Sequence, residues 1–268
     1  MRIAFSNIAW DPPEQADILP ILSSAGVTGI EIAPTKCWPG WIGATPEAVR
    51  QTENLFAEAG FTIPSMQAIL FGRPDLKVFG SEVERIAFLR HIEDVANIAE
   101  GLGARTLVFG SPSNRDPGDL APDEAMKAAV STLRVAGDIC ARHGVWLGIE
   151  ANPAVYGCKF ITRWFEAAEL VRQCDSPGIR LHLDAACTVL AGDGLAEAVA
   201  ETSDILAHVH ISEPYLGPMD SPAVDHGAFA GALKNAGYFG WCAVEMRRAA
   251  DPVSAIRKAA ALARSFYG

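Results

Sequence analysis

Much of what commonly announces a function is missing from this 268-residue chain. Its six cysteines (Cys37, Cys140, Cys158, Cys174, Cys187 and Cys242) contain no CxxC pair, which removes the usual zinc-finger and dithiol-redox spacings. Thiols scattered in this way are expected to be reduced and mostly buried, as in a cytoplasmic protein. No GxGxxG follows the first strand-like run, and neither GxxxxGKS nor GxxxxGKT occurs. Dinucleotide and P-loop readings therefore lose their main support. No cluster of Lys and Arg offsets the formal net charge of −10 (22 basic against 32 acidic residues). Such a surface repels a phosphate backbone, so nucleic acid is not an expected partner. No apolar stretch approaches the ~20 residues that span a bilayer, and MRIAFSNIAW reads as a first strand rather than a signal peptide. A soluble protein with no membrane partner is expected. Low-complexity tracts and linkers are lacking too, so residues 1–268 read as one domain.

What is present is a regular alternation. Half of the residues are hydrophobic, enough to bury a large core. Apolar, β-branched runs at 2–9, 27–33, 62–70, 105–111, 145–150, 178–184, 205–210 and 242–245 are separated by helical patterns, the last four near 162–174, 193–202, 225–237 and 251–266. Pro12 and Pro13 suit a helix start and Gly26 its end; Thr45–Pro46 and Gly60 bracket the next helix. Eight strands alternating with eight helices predict a (β/α)8 TIM barrel, in the α/β class, rather than an open doubly wound sheet.

Four residues with metal-binding side chains, Glu150, Asp184, His210 and Glu245, end the last four strand-like runs: VWLGIE, GIRLHLD, ILAHVH and CAVE. Parallel α/β folds build their active sites at those carboxyl ends. Side-chain parity puts His182 on the same face as Asp184, and His208 on the same face as His210, one layer deeper. Three carboxylates converging with one imidazole repel one another unless a cation neutralises them. Their oxygen-rich donor set suits Mn²⁺ first, with Mg²⁺, Co²⁺ or Zn²⁺ as alternatives. A cation there would stabilise an enediolate while Glu150 and Glu245 exchange a proton from opposite sides.

The order E…D…H…E, carried by GIEANP, LHLDAA, HVHISEP and AVEM, resembles the xylose isomerase-like superfamily of TIM barrels, in its sugar phosphate isomerase/epimerase branch. The resemblance covers essentially the whole chain. From the ketose 3-epimerases it implies that Glu150, Asp184, His210 and Glu245 hold a divalent metal and that the two glutamates are the acid/base pair. It implies a metal-dependent isomerase or epimerase acting on a small sugar, keto-sugar or sugar acid. An inositol-catabolism-type dehydratase and a catalytically silent carbohydrate-binding barrel are the alternatives. An endonuclease-like trinuclear site would need more histidines and a less acidic surface. Two positions depart from the epimerase pattern: Cys187 stands where those enzymes have histidine, and Leu216 where they have arginine. Both departures point away from free ketohexoses.

Weaker candidates for substrate contact are Glu213, three residues past His210; His226, at a helix start; and Arg247, suited to an anionic group. Trp10 joins them, as part of an aromatic wall with the Trp38–Trp41 loop, and so does Gln67 on the third strand. Glu31, on the second strand, reads as a polar residue of the barrel interior or of the pocket, and His91 and His143 as surface residues on helices. The Trp/Pro/Gly loop offers apolar surface for homo-oligomerisation.

Overall fold

The computed structural model describes residues 1–220 and 222–268. Eight strands run β1 (Arg2–Ser6), β2 (Gly29–Glu31), β3 (Ser65–Met66), β4 (Thr106–Phe109), β5 (Trp146–Glu150), β6 (Ile179–Asp184), β7 (Leu206–Ser212) and β8 (Trp241–Glu245). All paired strands are parallel, in the order β2-β1-β8-β7-β6-β5-β4-β3. The sheet closes on itself through two isolated bridges, Gly29 to Thr62 and Ile32 to Met66. The result is the expected barrel.

The helices are α1 (Gln15–Ser24), α2 (Pro34–Cys37), α3 (Pro46–Glu58), α4 (Glu82–Leu102), α5 (Pro122–Arg142), α6 (Trp164–Cys174), α7 (Ala185–Leu190), α8 (Leu195–Thr202), α9 (His226–Asn235) and α10 (Pro252–Tyr267). Their ends follow local chemistry. Thr45 accepts a hydrogen bond from the Ala48 amide at the start of α3, and Ser81 and Glu84 form a reciprocal cap on α4. Helices α2 and α7 are additional to the predicted eight. Both are short turns in βα connections, and Asp184 caps α7 by accepting from the Cys187 amide at 2.6 Å. Among the described residues no helix is long and apolar enough to cross a membrane.

Strand parity sorts the side chains. Leu181, Leu183, Val209, Ile211 and Val244 face the helices and are buried. The alternate positions fill the barrel with polar groups: Ser6, Glu31, Ser65, His182, His208 and Ser212 are all at most 1 % exposed. A barrel interior is usually filled by branched aliphatic residues. Here the upper layers are polar and mostly hydrogen-bonded internally, which offsets the cost of burying them, although Nε2 of both His182 and His208 is left without a partner.

One tight contact sets how α5 lies on the sheet. A Cβ on Gly178 would stand 1.9 Å from the Gly137 carbonyl oxygen, so the two backbones meet where no side chain fits. Gly178→Ala is expected to destabilise the fold by about 3 kcal/mol, because backbone must move to relieve the overlap. The check is a lower urea midpoint at an unchanged slope.

Candidate metal centre

His210 is the hub. Its Nε2 lies 3.0 Å from Glu31 Oε1. Its Nδ1 faces Glu245 Oε2 at 3.2 Å, Asp184 Oδ2 at 3.7 Å and Glu150 Oε1 at 3.9 Å. None of the three is aligned as a hydrogen-bond partner, so this fully buried nitrogen is unsatisfied. Ligand atoms of Glu150, Asp184 and His210 all lie within 4.8 Å of one another. A buried imidazole nitrogen without a hydrogen-bond partner, set among three carboxylates, is a donor set that suits a cation, so the residues fit a divalent ion.

The electrostatics point the same way. Burial lifts the Glu150 carboxyl, and the charges of Asp184 and Glu245 add to it, bringing its pKa to about 8. Burial raises Glu245 as well. Burial works against a proton on His210, but Glu31 and Glu245 overcome it and raise the imidazole well above its usual range. Burial would lift Glu31 too, yet the charge and hydrogen bond of His210 hold it at about 2. Without a cation, then, the cluster gathers protons on His210 and Glu150.

Supports that sequence reasoning missed hold this arrangement. Asn152 donates to Glu150 Oε2 at 2.9 Å, and its own Oδ1 accepts from Arg115 Nη2 at 2.9 Å. Arg115 is buried and also reaches the Phe109 carbonyl. Glu31, read from sequence as a barrel-interior or pocket residue with no stated partner, is the fixed partner of His210 and accepts from Ser65 at 2.8 Å. No local pattern in the sequence marks Arg115, since its partners lie 37 and 6 residues away. Gly110, just past β4, makes room for the carboxylate: a Cβ there would sit 1.7 Å from Glu150 Oε2. Gly110→Ala should therefore displace Glu150 and weaken metal binding at least about tenfold while leaving the far-ultraviolet circular dichroism unchanged. Calorimetric titration with Mn²⁺ checks it.

Below the quartet, His182 and His208 stack 5.3 Å apart, with their Nδ1 atoms 3.3 Å from each other. His182 Nε2 lies 3.5 Å from Glu150. Asp184 pairs with His210 in register and His182 with His208, so the upper two lie one layer nearer the mouth.

The cavity above the quartet has a volume of about 280 Å³. Gln67 and Glu213 line it; Trp10, His226 and Arg247 do not. Trp10 was expected in an aromatic wall, but the chain leaves β1 through a tight turn at Asn7–Ala9 and carries the indole against Phe5, 1 % exposed. His226 is buried behind Glu213, bonded to its Oε1 at 2.8 Å and to the Tyr267 hydroxyl at 2.8 Å. It orders Glu213 rather than reaching the cavity. The Arg247 side chain is exposed, and its backbone amide donates to the Leu216 carbonyl. His91, expected at the surface, is buried on the inner side of α4 with Nε2 2.8 Å from the Ile69 carbonyl. His143 is half-buried beside Glu100. Gln67 donates to Ser6 Oγ at 2.6 Å, and both Cys187 and Leu216 border the cavity.

The chain is similar to two curated sugar epimerases. One is an L-ribulose 3-epimerase from Methylomonas sp. (strain DH-1), 25 % identical over 218 residues, which are 81 % of this chain and 72 % of that protein. The other is a 3-dehydro-D-guloside 4-epimerase from Escherichia coli (strain K12), 26 % identical over 194 residues, 69 % of this chain and 73 % of that one. Among solved structures the fold matches a D-psicose 3-epimerase crystallised with D-fructose (TM-score 0.83, 14 % identity, 100 % of both chains). It also matches the IolI protein with a bound zinc atom (TM-score 0.79, 17 % identity, 100 % of this chain and 98 % of that one). The family model for xylose isomerase-like TIM barrels matches residues 19–266, and the chain belongs to that family.

Proposed function

We propose that this chain is a divalent-metal-dependent sugar isomerase or epimerase that moves a proton next to a substrate carbonyl. The observation that carries the reading is the unsatisfied Nδ1 of His210, buried and turned toward Glu150, Asp184 and Glu245. Those four residues would hold the ion, with Mn²⁺ preferred and Mg²⁺, Co²⁺ or Zn²⁺ as alternatives. When bound, a divalent cation supplies Lewis acidity to adjacent substrate oxygens and steadies negative charge on them.

The protein's own groups do the rest. Glu150 and Glu245 end β5 and β8, which approach the mouth from different sides, so one removes the proton and the other returns it. Asn152 fixes the Glu150 carboxylate through Oε2. Glu31 pins the far side of the His210 ring, as partners of metal-binding histidines commonly do. Gln67 and Glu213 stand where substrate hydroxyls would meet them. The two named relatives, an L-ribulose 3-epimerase and a 3-dehydro-D-guloside 4-epimerase, support epimerisation over dehydration.

The test is solvent-deuterium incorporation from D₂O into a panel of ketoses, keto-glycosides and keto acids, with Mn²⁺ present. At least one compound should take up deuterium beside its carbonyl. If none does with the metal loaded, the isomerase reading is wrong.

A further inference from the structure

The layer below the quartet holds nitrogen donors for which the reaction has no use. His182 and His208 are each 1 % exposed, and Nε2 of both rings has no hydrogen-bond partner. Buried polar atoms in that state are rare, and a bound ion or water is a common reason for them. His182, His208 and His210 each place a ligand nitrogen within 4.8 Å of the other two. The three rings are packed together, with centroids 4.2, 5.3 and 5.5 Å apart.

The ring orientations suit coordination through Nδ1. Nε2 of His182 has Glu150 Oε1 at 3.5 Å, and Nε2 of His208 has Glu31 Oε2 at 3.7 Å. Nε2 of His210 meets the same Glu31 carboxylate at 3.0 Å. A histidine that ligates a metal commonly turns its other ring N–H toward a carboxylate. With the protons on Nε2, the Nδ1 atoms of His182 and His208 confront each other across 3.3 Å. Two nitrogens on one tetrahedral ion, each about 2.0–2.1 Å from it, stand roughly 3.3–3.4 Å apart. The gap is thus that of two ligands on a shared ion. A hydrogen bond across it would move one proton from Nε2 to Nδ1, leaving a bare nitrogen beside a carboxyl oxygen.

We infer that His182, His208 and His210 form a second, nitrogen-rich ion site below the quartet, which takes Cu²⁺ or Zn²⁺. Imidazole suits those ions, whereas the carboxylate-rich quartet suits Mn²⁺ or Mg²⁺. The two positions share His210. With its Nε2 bonded to Glu31, that ring has one nitrogen left to give, so the two ions compete. An ion in the lower site thereby takes the hub of the upper one. The inference goes beyond the reading under Proposed function and holds whichever compound reacts there.

The test takes the metal-free full chain with Cu²⁺ as the probe, read by electron paramagnetic resonance and calorimetry. The spectrum of the complex should show splitting from three ligand nitrogens. His208→Phe keeps a flat ring in the layer but removes one donor. The splitting should then fall to two nitrogens, and Cu²⁺ affinity should drop at least about tenfold. Mn²⁺ should bind this variant as it binds the unaltered chain, which also shows that the fold is intact. Adding Cu²⁺ to the Mn²⁺-loaded protein should release free Mn²⁺, recognised by its own resonance. A Cu²⁺ spectrum with one nitrogen, unchanged by His208→Phe, would place the ion in the quartet and overturn the inference. Uptake of Cu²⁺ without release of Mn²⁺ would overturn the sharing of His210. Deuterium exchange enters neither readout, so failure of the isomerase reading would leave the lower site standing.

Discussion

Glu245→Gln should lower deuterium exchange by about a thousandfold, within the range that a positioned acid or base contributes. The amide is nearly isosteric and keeps an oxygen toward the ion, so metal binding should weaken much less than in His210→Ala. The latter removes the hub nitrogen and also strands Glu31, which then keeps only its bond from Ser65. Glu150→Gln should behave like Glu245→Gln, although Asn152 would now face an amide whose orientation must be chosen. Because the two glutamates act on one proton transfer, the double variant should be little worse than either single one. Exchange rates and Mn²⁺ titrations on the four proteins decide the matter. Equal loss of metal in Glu245→Gln and His210→Ala would assign Glu245 to ion binding alone.

Stripping the metal with a chelator should abolish exchange and lower the melting temperature, and Mn²⁺ should restore both. At a hundredfold excess over the dissociation constant an ion adds about 2.7 kcal/mol, which in a chain of this size raises the midpoint by roughly 5–10 °C. The gain should depend on pH in a defined direction. With its pKa raised to about 8, Glu150 keeps a proton in the metal-free fold through neutral pH, and His210 keeps one too. An ion must displace these protons, so its affinity falls as pH drops below 8. For the metal-free protein the sign is set by Glu150: a raised carboxyl pKa means stability is lost as pH rises from its unfolded value, near 4.5, through 8. The midpoint gain on adding Mn²⁺ should therefore be larger at pH 8 than at pH 6. A gain independent of pH would contradict proton displacement.

The barrel was legible because buried parallel strands write themselves as apolar runs, and caps such as Thr45–Pro46 mark where helices begin. The third strand was the least legible. A run at 62–70 was expected, but only Ser65–Met66 is paired as a strand, and Ala68 turns into the left-handed region with φ 53°. Among the site residues, Glu150, Asp184, His210 and Glu245 stand out from strand ends and parity, and the structure brings them together. Residues acting at a distance could not. The path from Arg115 through Asn152 to Glu150 joins parts of the chain with no shared local pattern. Trp10 misled because an aromatic residue after a strand looks the same in sequence whether its turn aims it at the axis or away.

The closure between β2 and β3 has a consequence for motion. Elsewhere neighbouring strands are joined by ladders of two or more paired residues, whereas this seam has only the isolated bridges at Gly29–Thr62 and Ile32–Met66, with four backbone hydrogen bonds between them. Local opening takes its free energy from the contacts it breaks, so amide protons along 28–33 and 62–67 should exchange with solvent sooner than those of β5 to β8. Glu31 and Gln67 flank that seam, and Glu31 is the residue that steadies His210. Breathing of the barrel wall would thus be felt first behind the histidine, leaving the strands that carry the three carboxylates as the slow-exchanging half of the molecule.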